Sequence, residues 1–75
     1  MAGHGHEPVG KIKKEMFVRD VVRDYPETLD VFRKYFGYFS LRLPGTQVES
    51  IEFNCAMHDM SHNPVLEELN RIVGD

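Results

Sequence analysis

The sequence predicts an all-α fold: a single compact domain of about four short helices, with an apolar loop between the second and third. Apolar side chains recur at the three- and four-residue spacing of a helical face. Pro26 and Pro64 stand where helices are expected to begin, and Gly37 and Gly74 where they are expected to end. No two segments have the alternating pattern of a strand pair, so helices are expected throughout.

The first two helices are expected on either side of Pro26. Valines at helical spacing predict a short helix over about 17–24. Pro26 stops that helix and suits the start of the next, because a proline at the first helical position loses no intrahelical hydrogen bond. The second helix is expected to end at Gly37, and its apolar stripe contains Leu29, Phe32 and Phe36.

The third helix has two candidate start positions. Thr46 with Glu49 fits a capping box, and Ser50 is a second candidate four residues after Thr46. The helix is expected to run to about His58 or Asp59. Its buried face is expected to contain Ile51 and Cys55.

The fourth helix is expected to follow a turn at 61–64. Asn63 is predicted to cap it and Pro64 to begin it, with Gly74 as its stop. Its apolar side would consist of Val65, Leu66, Leu69, Ile72 and Val73.

Length, charge and cysteine content narrow the class of protein. A chain of 75 residues is one domain. Its single cysteine cannot form an internal disulfide, which favours a reducing, cytoplasmic setting. No apolar run approaches the roughly 20 residues of a membrane helix, so no membrane association is expected. A net charge of −3 argues against nucleic-acid binding, and the basic patch Lys11, Lys13 and Lys14 is interpreted as a solvated segment.

The chain is divided into a flexible Gly/His tail over 1–10 and a helical domain over 11–75. The tail is too polar to order itself. Its histidines, His4 and His6, have three open interpretations: metal ligands, a purification remnant or part of a solvated tail.

The connection between the second and third helices is unusually apolar. Tyr38, Phe39, Leu41 and Leu43 would be costly to expose together. The loop therefore either folds back on the core or presents a binding surface for a protein partner or a second copy of the chain.

Cys55, His58 and His62 have the residue types that bind zinc or iron. On one continuous helix, Cys55 and His62 would be separated by about 10.5 Å of rise, which is too far for one ion. The expected turn places His62 outside that helix, so a bend would be needed to bring the three together. A small buried core residue is the favoured interpretation of Cys55, and helix-end capping that of His58.

Several runs of the chain resemble a known small domain. They are Ile12-Lys-Lys-Glu-Met16, Tyr25-Pro26-Glu27-Thr28, Cys55-Ala-Met-His58 and Leu66-Glu-Glu-Leu-Asn70. In this order they resemble the hybrid-cluster-associated redox disulfide domain, and they are similar to the related N-terminal domain of iron-sulfur cluster repair proteins. The resemblance spans about residues 11–73. It implies an all-helical fold, an anaerobic prokaryotic source and a Cys-x-x-Cys pair in the loop that corresponds to 37–45.

The chain departs from the family pattern at that pair. Ser40 and Leu43 stand at approximately the two thiol positions, and the loop contains no cysteine. The dithiol chemistry that the resemblance implies is therefore not carried over. Cys55 and His58 match a Cys-x-x-His stretch of the family, which favours a structural role for both. The glycine that usually follows is Asp59 here, so a different turn is expected.

These observations favour a non-enzymatic helical interaction module or accessory subunit, a thiol-less relative of a redox disulfide domain. The predicted partner surface is Tyr38, Phe39, Leu41 and Leu43, facing a protein partner or another copy, and no cofactor is predicted. The alternative is a redox or metal-binding module that uses Cys55 with His58 or His62 and takes zinc or iron. No pocket, nucleophile or oxyanion site is defined that would indicate an enzyme.

Overall fold

Residues 10–37 and 48–74 contain four α-helices: α1 (Val18–Asp24), α2 (Leu29–Phe36), α3 (Ile51–Met57) and α4 (His62–Val73). The computed structural model describes residues 10–37, 45 and 48–74. Within these ranges the extended structure is limited to one isolated antiparallel bridge, between Phe17 and Ser50. The predicted all-α fold is confirmed. None of the helices in these ranges has the length and apolar character needed to cross a membrane.

Pro26 begins a short 3-10 turn, Pro26–Thr28, before α2 starts at Leu29. The turn is held by Thr28, which is fully buried and donates its hydroxyl to the Tyr25 carbonyl at 2.7 Å. α2 then ends at Phe36, and Gly37 has a positive φ of 90°. A positive φ strains most side chains, so glycine suits this helix end.

The N-terminus of α3 is capped by a side chain, that of Ser50, and by backbone carbonyls of the segment before α1. The Ser50 hydroxyl accepts from the Phe53 amide at 3.0 Å. Of the two predicted start positions, Thr46 and Ser50, the structure therefore has the N-cap at Ser50. The Ile51 and Glu52 amides donate to the carbonyls of Met16 and Lys14, at 2.9 and 3.0 Å. The first amides of a helix have no partner within it, and here the segment before α1 satisfies them. Thr46, the other candidate, lies outside the described residues.

α4 begins two residues before Pro64, so the predicted start was wrong. The cap is Ser61, whose hydroxyl accepts from the Asn63 amide at 3.4 Å, and the helix begins at His62. Pro64 is then the third helical residue. The amides of the whole first turn lack intrahelical partners, so a proline is tolerated throughout that turn and does not fix its first position.

The core is formed by all four helices and the segment before α1. Its largest fully buried side chain is Phe32, whose ring stacks on that of Phe36 with centroids 5.8 Å apart. The buried apolar residues are Ile12, Val18, Val21, Val31, Phe32, Phe36, Ile51, Cys55, Val65, Leu66 and Leu69.

Asn70 of α4 ties down the segment before α1. Its side-chain oxygen accepts from the Ile12 amide at 2.7 Å, and its side-chain nitrogen donates to the Ile12 carbonyl at 3.2 Å. Both residues are buried. A Cβ at Gly10 would lie 2.3 Å from Cγ of Asn70, so glycine is needed where the backbone passes the amide. The amide thus pairs with the backbone as a neighbouring strand would.

A charged group links α2 to α4 at the surface. Lys34 Nζ lies 2.8 and 2.9 Å from the two carboxylate oxygens of Glu68, and the Tyr35 hydroxyl donates to the same carboxylate at 2.8 Å. The hydrogen bond from Lys34, followed by that from Tyr35, lowers the pKa of Glu68. The carboxylate is engaged within the fold, so this group is structural.

Candidate functional site

The three candidate ligands lie in different environments around the turn between α3 and α4. Cys55 is 1% exposed on the buried face of α3. His58 is the C-cap residue that follows α3, and its ring stacks on Phe36 with centroids 5.2 Å apart. His62 is the first residue of α4 and is partly buried. The ring of His58 therefore packs against the core next to the end of α2.

The turn after His58 contains a left-handed residue, Asp59. Asp59 has a φ of 58°, the region that glycine enters without strain and that Asp and Asn enter more readily than most residues. The aspartate therefore takes the left-handed conformation that a glycine at this position would adopt freely.

The Cys55 thiol is held in its neutral form. Burial raises its pKa to about 11, because desolvation penalises the thiolate. The folded state thus prefers the protonated thiol. This preference stabilises the fold below the unfolded pKa of about 8.5 and is lost as the pH rises toward about 11. A buried, protonated thiol is a poor nucleophile and a poor metal ligand, which agrees with the interpretation of Cys55 as a core residue.

A thiol reagent is expected to modify Cys55 of the folded protein roughly a hundredfold more slowly than that of the unfolded protein. This is the factor given by an opening free energy of about 3 kcal/mol. The measurement is the rate of modification by a chromogenic disulfide at neutral pH, with and without urea, and Cys55→Ala supplies the blank. Equal rates in both conditions would show that the thiol is accessible and would revive the redox interpretation.

Residues 10–37, 45 and 48–74 contain no group of three or more His, Cys, Asp or Glu side chains arranged to hold a metal ion. Cys55, His58 and His62 are therefore not gathered as a complete set of ligands. A zinc or iron site completed by residues beyond these ranges stays a prediction. His4 and His6 lie outside the described residues.

The outer face of α3 carries large apolar side chains that the core does not use. Phe53 is 47% exposed and Met57 is 69% exposed. The two are four residues apart, so they lie on one side of the helix, and the exposed Ala56 lies beside them. Ile51 and Cys55 occupy the opposite, buried side. We call Phe53, Ala56 and Met57 the outer face of α3.

The predicted partner surface, Tyr38, Phe39, Leu41 and Leu43, lies outside the described residues. Gly37 and Val48 are described residues on either side of this surface. Gly37 follows Phe36, whose ring stacks on His58 just after the C-terminal end of α3, and Val48 lies shortly before the start of α3 at Ile51.

Two residues of consequence were not identified from the sequence. Phe53 could have been found, since placing Ile51 and Cys55 in the core puts Phe53 and Met57 on the opposite side of the same helix. Asn70 could also have been found. It follows Leu66 by four residues, so the helical spacing predicts a polar residue on the buried side of α4.

Of the comparisons with known proteins, the one with family models gives a match. A family model described as "Domain of unknown function (DUF1858)" matches residues 12–65, more than half of the 75 residues. The matched range begins at Ile12, the residue that Asn70 holds, and ends within α4. No curated protein and no solved structure matches the chain.

Proposed function

We propose that this chain, which belongs to the DUF1858 family of domains of unknown function, acts as a non-enzymatic protein-interaction module or accessory subunit. The observation that carries the proposal is the outer face of α3. Two large apolar side chains, Phe53 and Met57, are about half or more exposed there, one helical turn apart.

The composition of this face is that of a contact surface. Aromatic residues and methionine are enriched where proteins bind one another, and methionine adapts to irregular surfaces. A domain of this size has few apolar residues to spare, because its core is only marginally sufficient. Two of them placed in solvent side by side are better explained by a partner than by packing.

The proposed contact surface also includes the predicted partner surface, Tyr38, Phe39, Leu41 and Leu43. The described residues that flank these positions, Gly37 and Val48, lie near opposite ends of α3. We therefore propose that these apolar residues and the outer face of α3 contribute to one contact region, with a protein partner or a second copy of the chain.

Resemblance to the redox disulfide domain, and to the N-terminal domain of iron-sulfur cluster repair proteins, supports a module that kept the helical fold and lost its dithiol. The alternative, a redox or metal module using Cys55 with His58 or His62, has less support because Cys55 is buried and its pKa is raised.

The double variant Phe53→Ser with Met57→Ser is expected to abolish association while leaving stability within about 0.5 kcal/mol, because both side chains are solvent-exposed. Native isolation of the untagged protein, with size measurement and identification of copurifying chains, reads out the association. Ile72→Ser is a matched control, since Ile72 is an apolar side chain that is 40% exposed on a different helix, α4.

A second pair, Phe39→Ser with Leu41→Ser, tests the predicted loop surface in the same assay. Loss of association with either pair, at unchanged stability, supports the proposed function and locates the contact. A wild-type protein that is monomeric and copurifies with nothing would refute the proposed function.

A further inference from the structure

We propose that the outer face of α3 binds a positively charged amphipathic helix of a partner protein. This inference rests on the proposed function and names the chemistry of the partner. It is carried by the charges that surround the apolar side chains of this face.

The surroundings of the outer face are acidic. Residues 45–70 contain no Lys or Arg, and their acidic residues are Glu49, Glu52, Asp59, Glu67 and Glu68. Glu49 and Glu52 are exposed at the N-terminal end of α3, and Asp59 is exposed just beyond its C-terminal end. Two lysines pair with members of this set: Lys14 Nζ lies 3.7 Å from Glu52, and Lys34 Nζ lies 2.8 Å from Glu68. Carboxylates thus lie at both ends of an apolar face, which is complementary to apolar side chains flanked by Lys or Arg.

The shape of the face suits a helix. Phe53 and Met57 are one turn apart, and a partner helix presents its own apolar anchors at the same three- and four-residue spacing. Ala56 adds little bulk beside them, so two helix axes can approach to the usual distance of about 8–10 Å.

Other partners fit less well. A strand would need an open sheet edge, and residues 10–37, 45 and 48–74 provide only the single bridge between Phe17 and Ser50. Two copies of α3 placed face to face would bring the carboxylates of 45–70 together, and like charges oppose that contact. An anionic membrane surface or nucleic acid would be repelled by the same carboxylates.

The test uses a synthetic amphipathic helical peptide of leucine and lysine, with a control peptide in which glutamate replaces every lysine. Binding to the full chain is measured by calorimetry, and the contact is located by amide chemical shifts. The lysine peptide is expected to bind, with its shifts centred on α3, and the glutamate peptide is not. Phe53→Ser with Met57→Ser is expected to weaken binding by about tenfold or more, as loss of an apolar anchor does.

Charge variants test the contribution of the carboxylates to binding of the lysine peptide. Glu49→Gln with Asp59→Asn is expected to weaken binding of the lysine peptide severalfold and to reduce its salt dependence, since the apolar anchors are untouched. Equal binding of both peptides, shifts centred away from α3, or self-association of the chain through Phe53 and Met57 would each overturn this inference. Association with a natural partner through Phe53 and Met57, without binding of the lysine peptide, would refute the inference and leave the proposed function standing.

Discussion

Phe32→Ala is expected to lower the free energy of unfolding by about 3–5 kcal/mol, the cost of removing a buried phenyl ring and leaving a cavity. Phe32 is 0% exposed and is the largest fully buried side chain of the described core. A domain of this length has a total stability of roughly 4–11 kcal/mol. The variant should therefore lose at least about a quarter of its stability, which is measured by urea unfolding followed by far-ultraviolet circular dichroism.

Phe53→Ala is the matched control for Phe32→Ala. It removes the same ring from a side chain that is 47% exposed, so its effect on stability should stay within about 0.5 kcal/mol. A cost at Phe53 comparable with that at Phe32 would show that the outer face of α3 is packed in solution. Such a result would also count against the proposed contact surface.

Asn70→Ala is expected to cost about 2–4 kcal/mol, because it leaves both the amide and the carbonyl of Ile12 buried without a partner. Urea unfolding measures this cost. Asn63→Ala is the control: the side-chain oxygen of Asn63 is buried and has no hydrogen-bond partner among the described residues, so much less should be lost.

Gly10→Ala tests the same contact from the other side. In the wild-type chain the new methyl group would overlap the Asn70 amide, since a Cβ there lies 2.3 Å from Cγ of Asn70. In the Asn70→Ala background that overlap is gone. The two substitutions should therefore couple by about 0.5–3 kcal/mol, with the double variant less destabilised than the sum of the single ones. Additive effects would mean that Gly10 and Asn70 are not in contact.

Much of the fold could be predicted from the sequence because short-range signals specify it. Valine and phenylalanine spacing located α1 and α2, and the cap at Ser50 was one of two candidates considered. The start of α4 was misplaced because a proline is compatible with any position of the first turn, and only the hydrogen bond to Ser61 decides between them.

The contacts between distant parts of the chain could not be predicted in the same way. The partner of Asn70 lies 58 positions away, at Ile12, and nothing in local spacing indicates that pairing. The outer face of α3 was missed for another reason. The buried side, with Ile51 and Cys55, was predicted, but the exposure of Phe53 and Met57 on the opposite side was not drawn from it.

The hydrogen bond between Ile12 and Asn70 also determines how the molecule opens. A segment near the beginning of a chain usually frays, and its amides exchange with solvent quickly. Here the Ile12 amide is bound to a side chain of the last helix. Its proton can exchange only when the first and last parts of the domain separate. The segment before α1 therefore opens only when its contact with α4 breaks, and the protection of the Ile12 amide reports how stable that contact is.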